Sequence, residues 1–383
     1  MSVPLKKVDD MREPLQIESI RSTILDIPLI RPHKFSVTSI DRQSVVLVRV
    51  RTEDGTEGVG EGVVPGGPWW GGESIEAVHA LIERYLGPML IGEDAARIDY
   101  LAHRMNKVIA GGSFAKAAIE MALWDARGKS MQLPVYQLLG GRHRDRLAVT
   151  WALGAEPAEA VAAEILEKLA QRRHSSFKLK MGAVDAKADV ARVGAISRLL
   201  PAGTALAVDL NGAWDEATAR RWIPALVDAG ISLIEQPVPR WNIEAMARLT
   251  QQTPARIMAD ESLLSDTDAT TLTRHAAVSV FAQKLAKSGG ICAVQRIGAI
   301  AEANGIACYG GTTIETSLGT AASVHAFCAS ASFTAGSELF GPLLLADDIV
   351  ETPVQYIDGN VFLNEQPGFG MVIDEDKVTR YSR

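Results

Sequence analysis

The sequence predicts an α/β protein in which a (β/α) barrel follows a smaller α+β module. Three observations lead to this fold class. The chain has 383 residues, which suits a barrel of about 250 residues plus a second, smaller domain. Its first third reads as strands followed by helices, and from about residue 147 short apolar runs alternate with helical stretches. Such alternation is typical of parallel strands joined by helices.

The N-terminal third has the pattern of an antiparallel sheet followed by helices. Residues 17–64 are rich in Ile, Val and Leu, and Glu53–Thr56 is a hairpin turn signal within them. Residues 65–72 (PGGPWWGG) form a Pro- and Gly-rich loop with two adjacent tryptophans. Residues 74–130 carry apolar side chains at helical spacing. We therefore expect an α+β module here.

The rest of the chain repeats a strand-and-helix unit. The apolar runs that we interpret as strands are Leu147–Leu153, Phe177–Met181, Ala205–Leu210, Ile231–Ile234, Arg256–Ala259, Val278–Ala282 and Ile306–Tyr309. Helical stretches between them include Ala158–Gln171, Ala217–Asp228 and Ile291–Asn304. Right-handed crossovers then give a parallel sheet, and seven or eight such units close into a barrel. An open, doubly wound sheet is the alternative, but no G-x-G-x-x-G fingerprint follows the first strand.

Composition excludes several classes of function. The net charge is −7 and no basic patch appears, so we expect no nucleic-acid partner. No run of 18 apolar residues exists, and Met1–Glu18 lacks the apolar core of a signal peptide, so we expect no membrane association. The three cysteines, Cys292, Cys308 and Cys328, form no C-x-x-C pair. This sparse set favours a reducing compartment, and we expect a cytoplasmic protein.

Five consecutive units place an ionisable residue at the end of their strand. These residues follow one another at intervals of 24 to 29 residues, the length of one strand, one helix and two loops. They are Lys180 (with Lys178 two positions before it), Asp209, Glu235, Asp260 and Lys284. All should therefore meet at the C-terminal rim, where barrels of this type hold their active sites. A lone strand-end carboxylate is more often a helix cap, but five residues in register argue against that explanation.

The order of charge along these strand ends predicts a metal site. Three clustered carboxylates repel one another, and a divalent cation removes that repulsion. Oxygen ligands with open positions suit Mg²⁺ or Mn²⁺. No His or Cys stands at these strand ends, which disfavours zinc. We expect Glu261 and Ser262, which follow the last carboxylate, to cap the next helix or to support the ligands.

The flanking lysines predict proton transfer next to a carboxylate. Lys180 and Lys284 would face a bound molecule from opposite sides of the carboxylates. A lysine that is near a cation and partly removed from water has a lowered pKa and can exchange protons. Lys178 points the same way as Lys180 and should lower its pKa further. An enediolate formed by such chemistry requires concentrated positive charge.

Taken together, these residues resemble the muconate-lactonizing branch of the enolase superfamily over about residues 16–383. The segment Ala115–Asp125, continuing to Gly140, is similar to a helical signature of that branch. The K-x-K pair and the four strand-end residues after it match the catalytic set one by one. Tyr309–Thr312 and Glu338–Leu343 are similar to the enzymes that act on muconate and chloromuconate.

The resemblance implies an architecture and an assembly. It implies a (β/α)7β modified TIM barrel over residues 146–345 and an α+β capping domain over residues 1–145. A C-terminal segment, residues 346–383, would return to complete the capping domain. It also implies one Mn²⁺ or Mg²⁺ per subunit, held by Asp209, Glu235 and Asp260. The expected assembly is a homo-oligomer, an octamer in much of the family.

The implied activity is a cycloisomerase reaction in the breakdown of aromatic compounds. A small dicarboxylate, cis,cis-muconate or a substituted muconate, would close to muconolactone through an enediolate. Lys180 would protonate the carbon next to one carboxylate, and Lys284 would stabilise charge on the opposite face. Lys178 and Glu338 complete the catalytic set that the resemblance implies.

Two capping loops and one rim residue are the expected substrate contacts. They supply His33, Lys34, Trp69, Trp70 and Asn211. The first loop, residues 30–36, is similar to enzymes for unsubstituted muconate, whereas the second, residues 65–73, is more similar to chloromuconate enzymes. Other activities on the same site remain open: chloromuconate cycloisomerase, N-acylamino acid racemase and o-succinylbenzoate synthase. A non-catalytic metal-binding homologue is disfavoured, because a structural role does not need Lys180.

Overall fold

A computed structural model describes residues 15–35 and 38–383 of the chain. The N-terminal stretch as far as residue 14, and Ser36 of the first capping loop, lie outside the described residues. The strands are β1 Ile17–Lys34, β2 Ser39–Thr52, β3 Glu57–Val63, β4 Arg146–Ala148, β5 Trp151–Leu153, β6 Ser176–Lys180, β7 Ala205–Asp209, β8 Ile231–Glu235, β9 Arg256–Ala259, β10 Val280–Gln283, β11 Ala307–Gly310, β12 Tyr356–Ile357 and β13 Asn360–Phe362.

The helices fall into an N-terminal group and a group that alternates with the barrel strands. The first group is α1 Pro68–Gly71, α2 Ile75–Leu81, a π-helical turn Ile82–Leu86, α3 Gly87–Leu90, α4 Ile98–Val108, α5 Ser113–Met131 and α6 Val135–Leu138. The second group is α7 Ala158–Ala170, α8 Ala186–Leu199, α9 Glu216–Asp228, α10 Ile243–Gln252, α11 Asp266–Arg274, α12 Leu285–Ser288, α13 Ile291–Ala303, α14 Ser317–Cys328, α15 Gly341–Leu344 and α16 Glu375–Tyr381.

The N-terminal module is an antiparallel sheet, β1-β2-β3, packed on the long helix α5. The helix can approach the sheet closely because β3 has glycines on the facing side. A Cβ atom at Gly60 would lie 2.1 Å from the backbone oxygen of Ala118, and one at Gly58 would lie 2.0 Å from that of Ala122. Small residues on both elements therefore allow backbone-to-backbone packing, which buries almost the whole helix.

Seven parallel strands, β5 to β11 in chain order, form a second sheet. An eighth segment closes this sheet into a barrel. Ser337 forms parallel bridges to Val149, just before β5, and to Gly310, at the end of β11. The backbone N–H of Thr150 donates to the carbonyl of Ser337 at 2.7 Å, so the first and last strands are joined through one segment. The predicted (β/α)7β barrel is confirmed.

One predicted strand was wrong in its extent. Leu147–Leu153 is not continuous, because its two halves pair with different partners. Arg146–Ala148 pairs antiparallel with β13 of the C-terminal segment, whereas Trp151–Leu153 begins the barrel beside β6. The other predicted barrel strands and helices end within one or two residues of the observed ones. Nothing in the local sequence reveals a partner that lies more than 200 residues away.

The C-terminal segment returns to the N-terminal sheet. The backbone N–H of Arg383 donates to the carbonyl of Ile24 in β1 at 3.0 Å, and Ser382 bridges to Leu25. The PGGPWWGG loop, which we interpreted as irregular, contains the short helix α1, which begins at Pro68. None of the helices in the described part of the chain combines the length and apolar character of a membrane span.

Candidate active site

The parallel register of the barrel brings the strand-end residues side by side. Lys180 of β6 pairs in register with Asp209 of β7, and Asp209 pairs with Glu235 of β8. Asp260 directly follows β9, and Lys284 directly follows β10. Since parallel strands end on one side of the barrel, all five side chains lie at the same rim. Their exposures do not exceed 9%, so this rim is largely closed to solvent.

Each carboxylate of the rim is paired with a lysine. Lys180 pairs with Asp209, and the Lys284 ammonium lies 2.6 Å from Asp260 Oδ2. Asp260 receives a second ammonium, since Lys287 Nζ lies 2.5 Å from its Oδ1. We did not predict Lys287, because it stands on the short helix α12 and outside the strand-end register. It is 1% exposed and therefore belongs to the buried charge network.

Lys178 has a different position from the one we expected. Its ammonium lies 2.6 Å from Glu235 Oε2 and pairs with Glu338 as well. Burial alone would lower the pKa of Lys178, but the two carboxylates outweigh it and raise the pKa well above the ordinary lysine value. Its charge is therefore balanced locally, and it does not line the cavity as Lys180 does.

The expected fall in the pKa of the catalytic lysines is not found at Lys284. Burial lowers the pKa of this side chain, but Asp260 at ion-pair distance outweighs it, helped by Glu235 and Glu338. The net result is a pKa above the ordinary lysine value. The expectation considered burial and a nearby cation, and it ignored the carboxylate that pairs with the ammonium directly.

The donor chemistry of the three carboxylates fits a divalent cation. Burial, and then the neighbouring Asp209, raises the pKa of Glu235 to about 8. The Glu235 Oε1 atom is buried and has no hydrogen-bond partner among the described residues. Across residues 15–35 and 38–383, no three His, Cys, Asp or Glu side chains already stand as a ligand set, and ammonium groups contact the three rim carboxylates. A cation shared by Asp209, Glu235 and Asp260 would remove their repulsion and use the free oxygen.

Two residues in left-handed backbone conformation shape the rim. Gln236 has φ 37° and Asn211 has φ 44°, each just after a carboxylate of the set. The Gln236 side chain fixes the neighbouring loop, since its Oε1 accepts from the backbone N–H groups of Asp260 and Ser262, both at 3.1 Å. Such conformations cost free energy and persist where surrounding contacts hold them, often at functional sites.

Asn211 joins the rim to a fourth carboxylate. Its Nδ2 donates to Glu261 Oε1 at 2.8 Å, and burial, followed by the nearby Asp260, raises the pKa of Glu261 to about 7. Of the two roles that we expected for Glu261 and Ser262, the structure favours support of the rim over capping of the next helix, since Ser262 Oγ accepts from Gln236 Nε2 at 2.7 Å. Helix α11 is capped by Ser265, whose hydroxyl accepts from the backbone N–H of Asp268.

A small cavity opens above these side chains, between the barrel and the N-terminal module. Its barrel side includes Lys180, Asp209, Asn211, Asp260, Lys284 and Glu338. Its upper side consists of residues from both capping loops: His33, Phe35, Pro65, Trp69 and Trp70. Ala152, Thr312, Ile314 and Phe340 complete the lining. The cavity therefore has charged residues on its barrel side and mostly aromatic residues on the opposite side.

Aromatic rings of the capping loops cover the two lysines. The Lys284 ammonium lies 4.5 Å from the centre of the Trp70 ring, and Lys180 lies 5.9 Å from that of Phe35. Trp69 packs on Phe35 instead, with ring centres 5.0 Å apart. The adjacent tryptophans therefore have different partners, which the sequence alone does not reveal. Rings at these distances attract the ammonium groups.

The first capping loop contributes His33 but not Lys34. His33 is buried, and burial, together with nearby Lys180, lowers its pKa to about 3, so the ring is neutral. Within the part of the chain that the structure describes, its Nδ1 has no hydrogen-bond partner. Lys34 points away from the cavity because side chains alternate along β1, and its ammonium lies 2.7 Å from Glu156. We therefore no longer assign Lys34 to the cavity.

The chain is similar to proteins of known activity over nearly its whole length. Residues 160–377 match the enolase C-terminal domain-like family. Residues 19–140 match the N-terminal domain of the mandelate racemase / muconate lactonizing enzyme family. Muconate cycloisomerase 1 of Rhodococcus opacus is 47% identical, covering 96% of this chain and 99% of that protein.

Solved structures give the same result for the fold. Muconate lactonizing enzyme from Pseudomonas fluorescens, complexed with muconolactone, superposes with a TM-score of 0.95 at 45% identity, covering 97% of this chain and 100% of that one. The 2-chloromuconate cycloisomerase from Rhodococcus opacus superposes with a TM-score of 0.94, also at 45% identity, covering 96% and 100%.

Proposed function

The chain belongs to the mandelate racemase and muconate lactonizing enzyme family of the enolase superfamily, and from this membership we propose that it lactonizes cis,cis-muconate or a substituted muconate. The product is muconolactone, and the enzyme is an isomerase. One observation carries the proposal. Lys180 and Lys284 line one cavity from strands on either side of three buried carboxylates. A molecule bound in this cavity would therefore contact both ammonium groups.

The reaction needs one new C–O bond and one proton transfer. One carboxylate of the substrate adds to the far end of the double bond that is conjugated with the other carboxylate, and the displaced π electrons move onto that second carboxylate as an enediolate. Lys180 then gives a proton to the adjacent carbon, and its neutral amine recovers a proton from solvent. Lys284, charged and held by Asp260, balances the negative charge that develops on the opposite face.

Asp209, Glu235 and Asp260 would hold the cation in this proposal, and Mg²⁺ or Mn²⁺ fits their oxygen donors. When bound, the cation supplies positive charge beside the substrate carboxylate, which favours the enediolate. The rings of the capping loops, of which Phe35 is buried and Trp69 and Trp70 are half-buried, would exclude water from the reacting carbons. His33 is neutral, so its ring can form a hydrogen bond with the substrate without adding charge to the cavity.

We also propose a homo-oligomeric assembly, an octamer by analogy with the family, in the cytoplasm. The three cysteines are buried and none forms a disulfide, which fits a reducing compartment. Light scattering coupled to size exclusion would give the subunit number directly. A stable monomer at micromolar concentration would reject the assembly and leave the activity proposal intact.

The activity is tested with purified protein and a panel of substrates. We expect metal-dependent loss of the conjugated diene of cis,cis-muconate or a chloromuconate, with the lactone identified by NMR. N-acylamino acids and the precursor of o-succinylbenzoate serve as matched rivals, because they need the same cation and two lysines. Turnover of a rival alone, or of no muconate with added Mn²⁺ or Mg²⁺, would reject the proposal.

A further inference from the structure

The cavity has one apolar lining residue whose backbone is strained. Ile314 lines the cavity, is 2% exposed and has φ 62°. A β-branched residue avoids this left-handed region, since its Cβ substituents crowd the backbone. Such a conformation persists only where the surroundings fix it, and it is often part of a functional site. Neither the strand-end spacing nor the capping loops pointed to this residue.

A buried carboxylate holds the turn that carries Ile314. Glu315 Oε2 accepts three hydrogen bonds from the turn: from Thr312 Oγ1 at 2.8 Å, and from the Thr313 N–H and Oγ1 at 2.7 and 3.2 Å. The Thr312 hydroxyl in turn accepts from the backbone N–H of Ile314 at 3.0 Å. The second oxygen of Glu315 is buried and has no hydrogen-bond partner in residues 15–35 and 38–383. Burying a carboxylate costs free energy. We therefore interpret the three hydrogen bonds to the turn as the role of Glu315.

Neighbouring backbone closes the turn from both ends. A Cβ atom at Gly341, next to the cavity residue Phe340, would lie 2.2 Å from the carbonyl oxygen of Glu315. At the other end, a Cβ atom at Gly311 would lie 2.7 Å from Lys284 Cε. The turn from residue 311 to residue 316 therefore packs against Lys284 at Gly311. Ile314 lines the same cavity as that lysine, and both ends of the turn are in close contact with their neighbours.

We propose that Ile314 determines which substituted muconates the cavity accepts, and that Glu315 is the positioning residue that fixes Ile314 in its strained conformation. The inference rests on the proposed lactonization. A branched side chain in a fixed position occupies the space beside one carbon of the diene. A substituent such as chlorine on that carbon would therefore clash with the side chain. The turn cannot yield, and discrimination against the substituent results.

The test compares selectivity, which a merely structural role would not change. The ratio of kcat/KM for 2-chloro- or 3-chloro-cis,cis-muconate to that for cis,cis-muconate is measured in the metal-loaded enzyme. For Ile314→Gly we expect one of these ratios to rise by about 10-fold or more, the value of a small group in an apolar pocket. Ile314→Val should shift the same ratio in the same direction by a smaller factor, and it keeps a β-branched core residue should the glycine variant fail to fold.

The role of Glu315 is tested through Ile314. Glu315→Ala should raise the same ratio, while Glu315→Gln, which keeps an acceptor oxygen, should restore the wild-type value. The double variant Ile314→Gly/Glu315→Ala should match Ile314→Gly alone, because Glu315 acts through the side chain already removed. Additive effects in the double variant would overturn the positioning role.

The failures of the two proposals are distinguishable. A wild-type enzyme that lactonizes muconate, with ratios unchanged within about 2-fold in both Ile314 variants, overturns the selectivity role alone. A wild-type enzyme that neither binds nor turns over any muconate overturns the proposed function, and this inference with it.

Discussion

In the proposed reaction Lys180 transfers a proton, and it is not one of the ligands that would hold the cation. Its ammonium contacts Asp209 and, at 3.3 Å, Asn211 Oδ1. All three carboxylates that would hold the cation remain when it is removed. Lys180→Ala should therefore lower kcat by about 10²–10⁴-fold, the usual contribution of a general acid, while cation binding persists. Steady-state kinetics and a cation titration measure the two effects separately.

Two controls sharpen this prediction. Lys180→Arg should not restore activity, because guanidinium cannot release a proton near neutral pH. In D₂O, the wild-type product should carry one deuterium, on a single face of the carbon beside the carboxylate. A Lys180→Ala enzyme with near-normal kcat would move the proton transfer to Lys284. Deuterium on both faces would assign the protonation to solvent.

The adjacent tryptophans form a natural matched pair. Trp70 faces Lys284 and Trp69 packs on Phe35. Trp70→Leu should lower kcat more than Trp69→Leu, because it removes an aromatic face from the lysine and costs roughly 1–2 kcal/mol of cation–π attraction, or about 5- to 30-fold. Phenylalanine at position 70 should recover part of the loss. Equal effects of the two leucine variants on kcat would contradict separate roles.

At the scale of single residues, the sequence predicts the site residues that recur at a regular spacing along the chain. Lys180, Asp209, Glu235, Asp260 and Lys284 follow from spacing alone, and the structure places all five at one rim. Lys287 and Glu315 have no such signal, because a short helix and an irregular turn carry them. Lys34 was misplaced because strand alternation continues through β1 to its last residue, where we expected a loop.

Helix α14 shows how buried charge supports an element. The helix is buried over its whole length, so its first backbone N–H groups need partners within the protein. Two carboxylates from distant segments supply them. Glu61 of β3 accepts from the backbone N–H groups of Thr316 and Gly319, both at 3.0 Å. Asp348 accepts from the backbone N–H of Ser317 at 3.2 Å and from its hydroxyl at 2.6 Å. The N-terminal sheet and the C-terminal segment thus meet at one helix end.

The Glu61 carboxyl should make stability depend on pH. Burial, partly offset by Thr316 and increased by the nearby Glu315, raises its pKa from 4.5 to about 7. A folded-state pKa above the unfolded one means that the native state binds the proton more tightly. This contribution is therefore fully present below pH 4.5 and is lost as the pH rises through about 7. Its full size is about 3 kcal/mol.

Glu61→Gln isolates this effect, because glutamine stays neutral at every pH. Measured by thermal unfolding, the stability of the variant relative to wild type should increase between pH 5 and pH 8. Glu57→Gln on the same strand is the control for the chemical change itself, since that side chain is 40% exposed and pairs with Arg49 at the surface. A pH-independent difference for Glu61→Gln would contradict the raised pKa.

Elements were predictable where their signal is local. The barrel strands and their helices repeat at nearly constant spacing, and each is long enough to show its own period. The closing strand was not predictable in this way, because among the described residues only Ser337 forms bridges to both neighbouring strands. The break between β4 and β5 depends on β13, and no periodicity within residues 146–153 records that partner.

At the scale of the whole molecule, the cavity depends on segments that are far apart in the chain. Trp70 and His33 come from the N-terminal module, the lysines from the barrel, and Phe340 follows the closing strand. Buried carboxylates join these parts: Glu120 of α5 accepts from the backbone N–H of Cys292 at 2.9 Å, and Asp125 accepts from that of Phe369 at 2.9 Å. The charged side and the aromatic side are therefore held in fixed relation.

A cation bound at the rim should stabilise the whole fold, because the unfolded chain does not gather Asp209, Glu235 and Asp260. At a concentration about 100 times its dissociation constant, the cation adds about 2.7 kcal/mol. We therefore expect Mn²⁺ or Mg²⁺ to raise the unfolding temperature by several degrees above that in EDTA. Zn²⁺ should raise the unfolding temperature less than Mn²⁺ or Mg²⁺ does, since the three carboxylates offer no nitrogen or sulfur ligand. Differential scanning calorimetry measures the shift without any substrate.

The variants decide whether the three carboxylates act as one site. Asp209→Asn, Glu235→Gln and Asp260→Asn should each weaken the cation-dependent shift, because each removes one charged ligand. Asp99→Asn is the matched control, because its side chain is 65% exposed and lies on α4, outside the cavity; its shift should equal that of wild type. Full cation-dependent shifts in all three variants would place the cation elsewhere.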